Sequence, residues 1–318
     1  MATDRHAPAP HDEPPRRDSE HRARRPTRRW WLTRITLAIV AGLVIAVVGD
    51  LLRGGVTATW LRYGGALVYV ARGERVEVRP GHALYIDCRG SGTPTLVLEA
   101  GMGSDSATWS PAHDQLGAIT RTCSYDRSGR GRSDGGSAGD MAGMSRELSA
   151  LLAAAGEHPP YVIVGHSLGT VIARVHATLA ARDVAGLVLV DGFDPDIFDE
   201  RVLPILGPLR NEYLNHTAGL WNLVASVEGI DVERSRAQLS ESRVVGLPVE
   251  VVIAPRVDAR LDAATNDRIA ASVAAGYEQL SPGRVTLTLA WGAGHMVQFD
   301  RPDLVVEAVR RIVAALRG

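Results

Sequence analysis

The chain has 318 residues, 45% of them hydrophobic, and a formal net charge of -1. That is enough to bury one large core or two small ones, and too neutral overall to attract nucleic acid by charge. All 35 cationic side chains are arginine, which excludes Schiff-base chemistry and the lysine of a phosphate-binding P-loop. The ten histidines form no close pair and no Cys/His cluster with zinc-ligand spacing, so neither a metal nor a cofactor is expected.

Residues 1–29 are rich in Pro, Arg, Asp and Glu and nearly free of large apolar side chains. Such a composition cannot offset its ordering entropy, and a disordered tail is predicted. Eight arginines fall between positions 14 and 34, ahead of the uncharged run "ITLAIVAGLVIAVVG" at 35–49. As a helix that run rises about 22 Å, short of the roughly 30 Å hydrocarbon core. Adding Trp30 and Trp31 as an interfacial belt, and Leu51 and Leu52 beyond, gives a span over 30–52 that reaches across. A single transmembrane anchor is the preferred reading, with a cleaved signal peptide and a secreted product as its rival. The arginines before the span keep the tail in the cytoplasm by the positive-inside rule. The rest of the chain, after a linker at 53–65, then faces outward.

From about residue 66 the pattern alternates strand and helix. Apolar or alternating runs predict strands at 75–80, 82–87, 95–100, 121–126, 161–165, 186–191, 249–254 and 284–290. Helical periodicity fills 141–155, 168–182, 264–279 and 302–316. Close spacing of the first two strands predicts an antiparallel start, and the separated later ones predict parallel pairing. The fold class is therefore α/β, a mostly parallel eight-stranded sheet with helices on both faces. Residues 192–247 are too long for a plain connection and predict a helical lid after the sixth strand.

Within "YVIVGHSLGTVIA", 161–173, a buried strand runs into Gly165-His166-Ser167-Leu168-Gly169 and then into a helix. A Gly-x-Ser-x-Gly match alone is common, but a nucleophile needs this strand-to-helix placement. Gly165 and Gly169 leave room for the sharp turn, Ser167 is the candidate nucleophile, and the Leu168 N–H opens a helix where an oxyanion would form. After the strand at 95–100, "GMGSDS" offers a second backbone donor at Met102. In "LAWGAGHMVQFDRPD", His295 follows a strand on a glycine-loosened loop, which suits a general base. His166 is read as packed beneath the turn. The base needs a carboxylate to orient it. Asp258, shortly after the strand at 249–254, is the first choice; Asp191 is the runner-up and Asp262 the third. A carboxylate not used this way is most simply a solvated loop charge or a helix cap.

The chain from about 66 to 318 resembles an α/β-hydrolase fold enzyme. "GHSLG" is similar to that fold's nucleophile elbow, "EAGMGS" to its oxyanion strand and turn, "YDRSGRGRSD" to the segment after its fourth strand, and "GAGHMVQFDRPD" to its histidine loop. The resemblance implies a Ser167, Asp258, His295 triad with Leu168 and Met102 as oxyanion donors. Two departures stand out: Ala100-Gly101 replaces the His-Gly found in many relatives, and Ala-Pro-Arg-Val-Asp replaces a clear Gly-x-x-Asp after the seventh strand.

Fold alone does not give the reaction. A serine at the elbow implies a serine hydrolase acting on carboxylic esters, lactones or thioesters through an acyl-enzyme. An acyltransferase, a peptidase or a cofactor-free perhydrolase shares the same triad, and a non-catalytic membrane-anchored binding protein is the reading from another class. The expected partners are a small-molecule acyl substrate and, through the anchor, a membrane, with no nucleic acid. Oligomeric state is not legible. Lid aromatics Tyr213 and Trp221 suggest an apolar substrate pocket, against the equally plain reading of the lid's own packing, and Trp109 and Met102 are further candidates for the pocket wall. Cys88 and Cys123 fall on strands that this fold places side by side. A disulfide is geometrically feasible there, and two buried free thiols is the plainer reading.

Overall fold

The computed structural model describes residues 71–192, 201–255 and 260–318, all within the unit Gly65–Gly318 of a chain that divides at Gly64. The predicted tail, the apolar segment 30–52 and the linker lie outside the described residues. Among the described residues, no helix is long and apolar enough to cross a membrane.

In chain order the elements are strands β1 (Glu74–Arg79), β2 (His82–Arg89) and β3 (Thr95–Glu99), helix α1 (Ser110–Gly117), β4 (Thr122–Tyr125), α2 (Met141–Ala154), β5 (Tyr161–His166), α3 (Leu168–Leu179) and β6 (Val184–Val190). Then come α4 (Arg210–Glu228), α5 (Val232–Ser240), β7 (Val249–Ile253), α6 (Ala263–Glu278), β8 (Val285–Leu289), the short α7 (Val297–Asp300) and α8 (Pro302–Arg317). The eight strands form one sheet in the order β1-β2-β4-β3-β5-β6-β7-β8. β2 pairs antiparallel with β1 and with β4, and every other pairing is parallel.

Period-two alternation in the strands builds a separate core on each face. Ile163, Leu187, Leu189 and Val251 pack on one side with Leu148, Leu151 and Ala173 of helices α2 and α3. Val162, Val164, Val188 and Val252 pack on the other with Leu116 of α1 and Val305, Val309 and Ile312 of α8. A sheet covered on both faces accounts for central strands that read as unbroken apolar runs. Helix α8 earns its place by spacing: Val305, Val309 and Ile312 recur on one stripe and are buried.

Strand register determines which loops meet. Glu99 of β3 lies opposite Gly165 of β5, and His166 of β5 lies opposite Val190 of β6. The turn after β3, the turn after β5 and the first residue after β6 therefore emerge side by side at the carboxyl edge of the sheet, where open α/β sheets place their sites.

Of the predicted lid, residue 192 and residues 201–247 are described. Trp221 and Val224 of α4 pack onto Leu168, Val171, Ile172 and Val175 of α3. Helix α4 ends where Gly229 turns left-handed at φ 66, a conformation that glycine adopts at little cost.

Cys88 and Cys123 are direct cross-strand partners in β2 and β4 and are joined by a disulfide, with no free cysteine among the described residues. Two buried free thiols is thus corrected: antiparallel register brings the two residues opposite each other. The closed loop spans 35 residues, so Cys88→Ser/Cys123→Ser is expected to lower unfolding stability by about 3–4 kcal/mol through loop entropy. Urea titration checks this, and thiol counting on the denatured, unreduced protein is expected to find no free thiol.

Candidate active site

Ser167 sits between β5 and α3 with φ 52 and ψ -120, a backbone region that costs a non-glycine residue about 1–3 kcal/mol. The turn is held from both sides. Ser167 N–H donates to Val190 O at 3.1 Å, and Thr170 donates to Ser167 O from both its N–H and its hydroxyl. A Cβ on Gly165 would lie 2.4 Å from Gly169 O, and one on Gly169 would lie 2.5 Å from Glu99 O. Backbone atoms block both positions, so only glycine fits.

His295 lies beyond β8, its carbonyl accepting from His166 Nε2–H at 2.8 Å. Nε2 of His295 is 3.0 Å from Ser167 Oγ, and Nδ1 is 2.6 Å from Asp191 Oδ2. Asp191 is buried, and its other oxygen, Oδ1, accepts the Ala254 N–H at 3.0 Å. Among the described residues, Ser167 and Asp191 are the two non-glycine residues with positive φ. Strained backbone of this kind gathers where geometry is over-determined for function.

The carboxylate on the imidazole is therefore Asp191, the runner-up. Asp258 lies outside the described residues, and the position at Nδ1 is filled without it. The physical reason is register: Asp191 immediately follows Val190, which pairs with His166 beside Ser167. Asp262 caps α6, accepting the Thr265 N–H at 2.7 Å, and that bond holds its pKa below the ordinary aspartate value.

His166 is buried under the turn, and burial drives its pKa down to about 3, with the neighbouring His295 adding to the effect. An unfolded histidine titrates near 6.5. Between about pH 6.5 and 3 the unfolded chain binds a proton that the folded chain refuses, so stability falls as pH drops through that window. The expected loss from His166 alone is about 3 kcal/mol by pH 4. His166→Gln keeps a donor for the His295 carbonyl and cannot titrate. Its urea midpoint is expected to fall less steeply between pH 7 and 4 than that of the wild type.

Opposite the elbow, the turn after β3 places Gly101 against Ser167: a Cβ there would lie 3.3 Å from Ser167 Cβ. Leu168 supplies the first amide of α3, which has no acceptor within the helix. The Met102 side chain packs at the edge of the same cluster as Leu168 and Trp221. Below the turn lies a group that sequence reasoning missed. Arg127, Glu99 and Glu228 are all buried, and the Arg127 guanidinium donates to both carboxylates, with the Tyr125 hydroxyl donating to Glu99. Burial lifts the Glu99 carboxyl against the pull of Arg127. Burial also opposes the Arg127 charge, but Glu99 and Glu228 outweigh it and raise the guanidinium pKa further. A charge closing an otherwise apolar strand, Glu99 after "TLVL", was the available signal.

The pocket candidates fare differently. Trp109 is fully buried on the α1/α8 face with Leu96, Leu98 and Val162, so its assignment to a substrate pocket is corrected to core packing. Tyr213 packs at the edge of the lid's own cluster of Val202, Leu203 and Leu206. Trp221 is buried against α3.

A family model described as "Alpha/beta hydrolase family" matches residues 96–308. Over 108 residues the chain is 41% identical to "Uncharacterized protein YqjL" of Bacillus subtilis (strain 168), covering 32% of this chain and 41% of that one. Over 104 residues it is 38% identical to "Putative carbamate hydrolase RutD" of Klebsiella pneumoniae (strain 342), covering 32% of this chain and 39% of that one. The chain thus spans about two fifths of the length of these curated relatives. Among solved structures, an esterase from Exiguobacterium antarcticum superposes with a TM-score of 0.53 at 16% identity, covering 76% of this chain and 99% of that one. At that identity the likeness is one of fold.

Proposed function

We propose that this chain, which belongs to the alpha/beta hydrolase family, is a serine hydrolase that cleaves carboxylic-ester-type bonds through an acyl-enzyme on Ser167. The observation that carries the reading is the unbroken hydrogen-bonded line from Asp191 Oδ2 to His295 Nδ1 and from His295 Nε2 to Ser167 Oγ. Nδ1–H donates to the Asp191 carboxylate, which leaves Nε2 as the acceptor that takes the serine proton. The serine oxygen attacks the carbonyl, and the new oxyanion faces the N–H groups of Leu168 and Met102. His295 then passes its proton to the leaving alcohol. Water enters by the same route in reverse and releases the acid.

The disulfide supports an extracytoplasmic domain, because such bonds persist in oxidising compartments. The apolar segment 30–52 supports attachment to a membrane.

The test is hydrolysis of p-nitrophenyl esters from acetate to dodecanoate, together with labelling by a fluorophosphonate probe. Turnover and labelling that both vanish in Ser167→Ala are expected. No labelling of the native protein, or labelling unchanged in that variant, overturns the reading.

A further inference from the structure

The guanidinium of Arg127 has five N–H groups, and each has an acceptor. Nε–H donates to Glu228 Oε2 at 3.4 Å; Nη1 donates to Glu99 Oε1 at 2.6 Å and Ala100 O at 2.8 Å; Nη2 donates to Gly101 O at 2.8 Å and Glu228 Oε1 at 2.9 Å. Two of the five acceptors are consecutive backbone carbonyls at the turn after β3. The Gly101 carbonyl belongs to the same peptide as the Met102 N–H. In a trans peptide those two groups point in opposite directions, so gripping the carbonyl aims the N–H away from Arg127. The Ser167 side of the turn is marked by Gly101, where a Cβ would lie 3.3 Å from Ser167 Cβ. The next peptide is pinned as well, because Gly103 N–H donates to Glu228 Oε1 at 2.6 Å. Both peptides flanking Met102 are therefore held by one charged cluster.

Glu228 is the last residue of lid helix α4. Arg130 is a second arginine beside it, its Nε lying 3.5 Å from Glu228 Oε2, and also donates to Val227 O. Burying such charges is expensive, and a buried ion pair is weak evidence for stability. What five bonds on one rigid fork deliver is direction.

We propose that Arg127 is a positioning residue: with Glu99 and Glu228 it aims the Gly101–Met102 peptide so that the Met102 N–H meets the oxyanion, and through Glu228 the end of the lid helix takes part in that aim. The proposal rests on the serine hydrolase reading above. Loss of alignment at one oxyanion donor is expected to cost less than its removal, which is about 10²–10³-fold in kcat.

Arg127→Lys keeps the charge and loses the fork. Its kcat on a p-nitrophenyl ester is expected to fall about tenfold to a hundredfold with KM within about twofold. Affinity for a trifluoromethyl ketone, which presents a tetrahedral oxyanion when bound by serine, is expected to fall by the same factor as kcat/KM. A merely structural role would lower thermal stability without moving these two together. Glu228→Gln keeps an acceptor for Gly103 N–H, weakens the hold on Arg127, and is the deciding variant if Arg127→Lys does not fold. It is expected to lose severalfold in kcat at unchanged KM. Wild-type kcat and ketone affinity in the folded variants, or a loss carried by KM alone, overturns the proposal while the wild-type enzyme still turns over esters. Absence of wild-type turnover and of fluorophosphonate labelling overturns the hydrolase reading itself, and the positioning role with it.

Discussion

Ser167→Ala is expected to lower kcat for ester hydrolysis by about 10⁴–10⁶-fold, because a nucleophile and its base act as a unit and losing either removes the covalent route. The residual rate, about 10³-fold over water, would come from the oxyanion donors and substrate binding. Stability is expected to change little: alanine at φ 52 and ψ -120 is strained about as much as serine, and the side-chain hydrogen bond lost among the described residues, to His295 Nε2, is solvent-exposed. Ser167→Gly separates chemistry from backbone strain. It is expected to be as inactive as the alanine variant yet to unfold later, by about 1 kcal/mol, because glycine adopts this conformation freely. Turnover and urea midpoints on the three proteins check both halves. Alanine and glycine variants with turnover near wild type would remove Ser167 from the chemistry. A glycine variant no more stable than the alanine variant would refute the strain argument alone.

What was legible in the chain follows from how local each signal is. Central strands such as Tyr161–His166 announce themselves through β-branched runs, and α8 through its apolar stripe, because these patterns are written in consecutive residues. The elbow and the histidine loop were legible for the same reason. The carboxylate that meets His295 was not, since chain order places both Asp191 and Asp258 between Ser167 and His295. Only strand register, which brings Val190 opposite His166, distinguishes them. Trp109 was misread because an aromatic shortly after the oxyanion turn lies near the site in sequence, whereas its side chain turns under the sheet into the α1/α8 core. The charged cluster was hidden for a different reason: Arg127 and Glu228 are 101 positions apart, and no short window contains both.

Asp191→Asn is expected to lower kcat by about 10⁴-fold with the fold intact, whereas Asp258→Asn keeps nearly full activity. The direction follows from two partners of the Asp191 carboxyl group among the described residues. Ala254 N–H donates to one oxygen and His295 Nδ1 meets the other. An asparagine must present its carbonyl to Ala254, because two N–H donors cannot face each other, and so its amide faces His295. Nδ1 then has to accept, the ring proton moves to Nε2, and Nε2 can no longer take the proton of Ser167. Backbone strain does not confuse the result, since asparagine tolerates the φ of 40 at this position as well as aspartate does. Kinetics of both variants beside a thermal melt decide the matter. Collapse of Asp258→Asn with Asp191→Asn spared would return the acid to the loop after β7, and equal loss in both would mean that neither carboxylate alone orients His295.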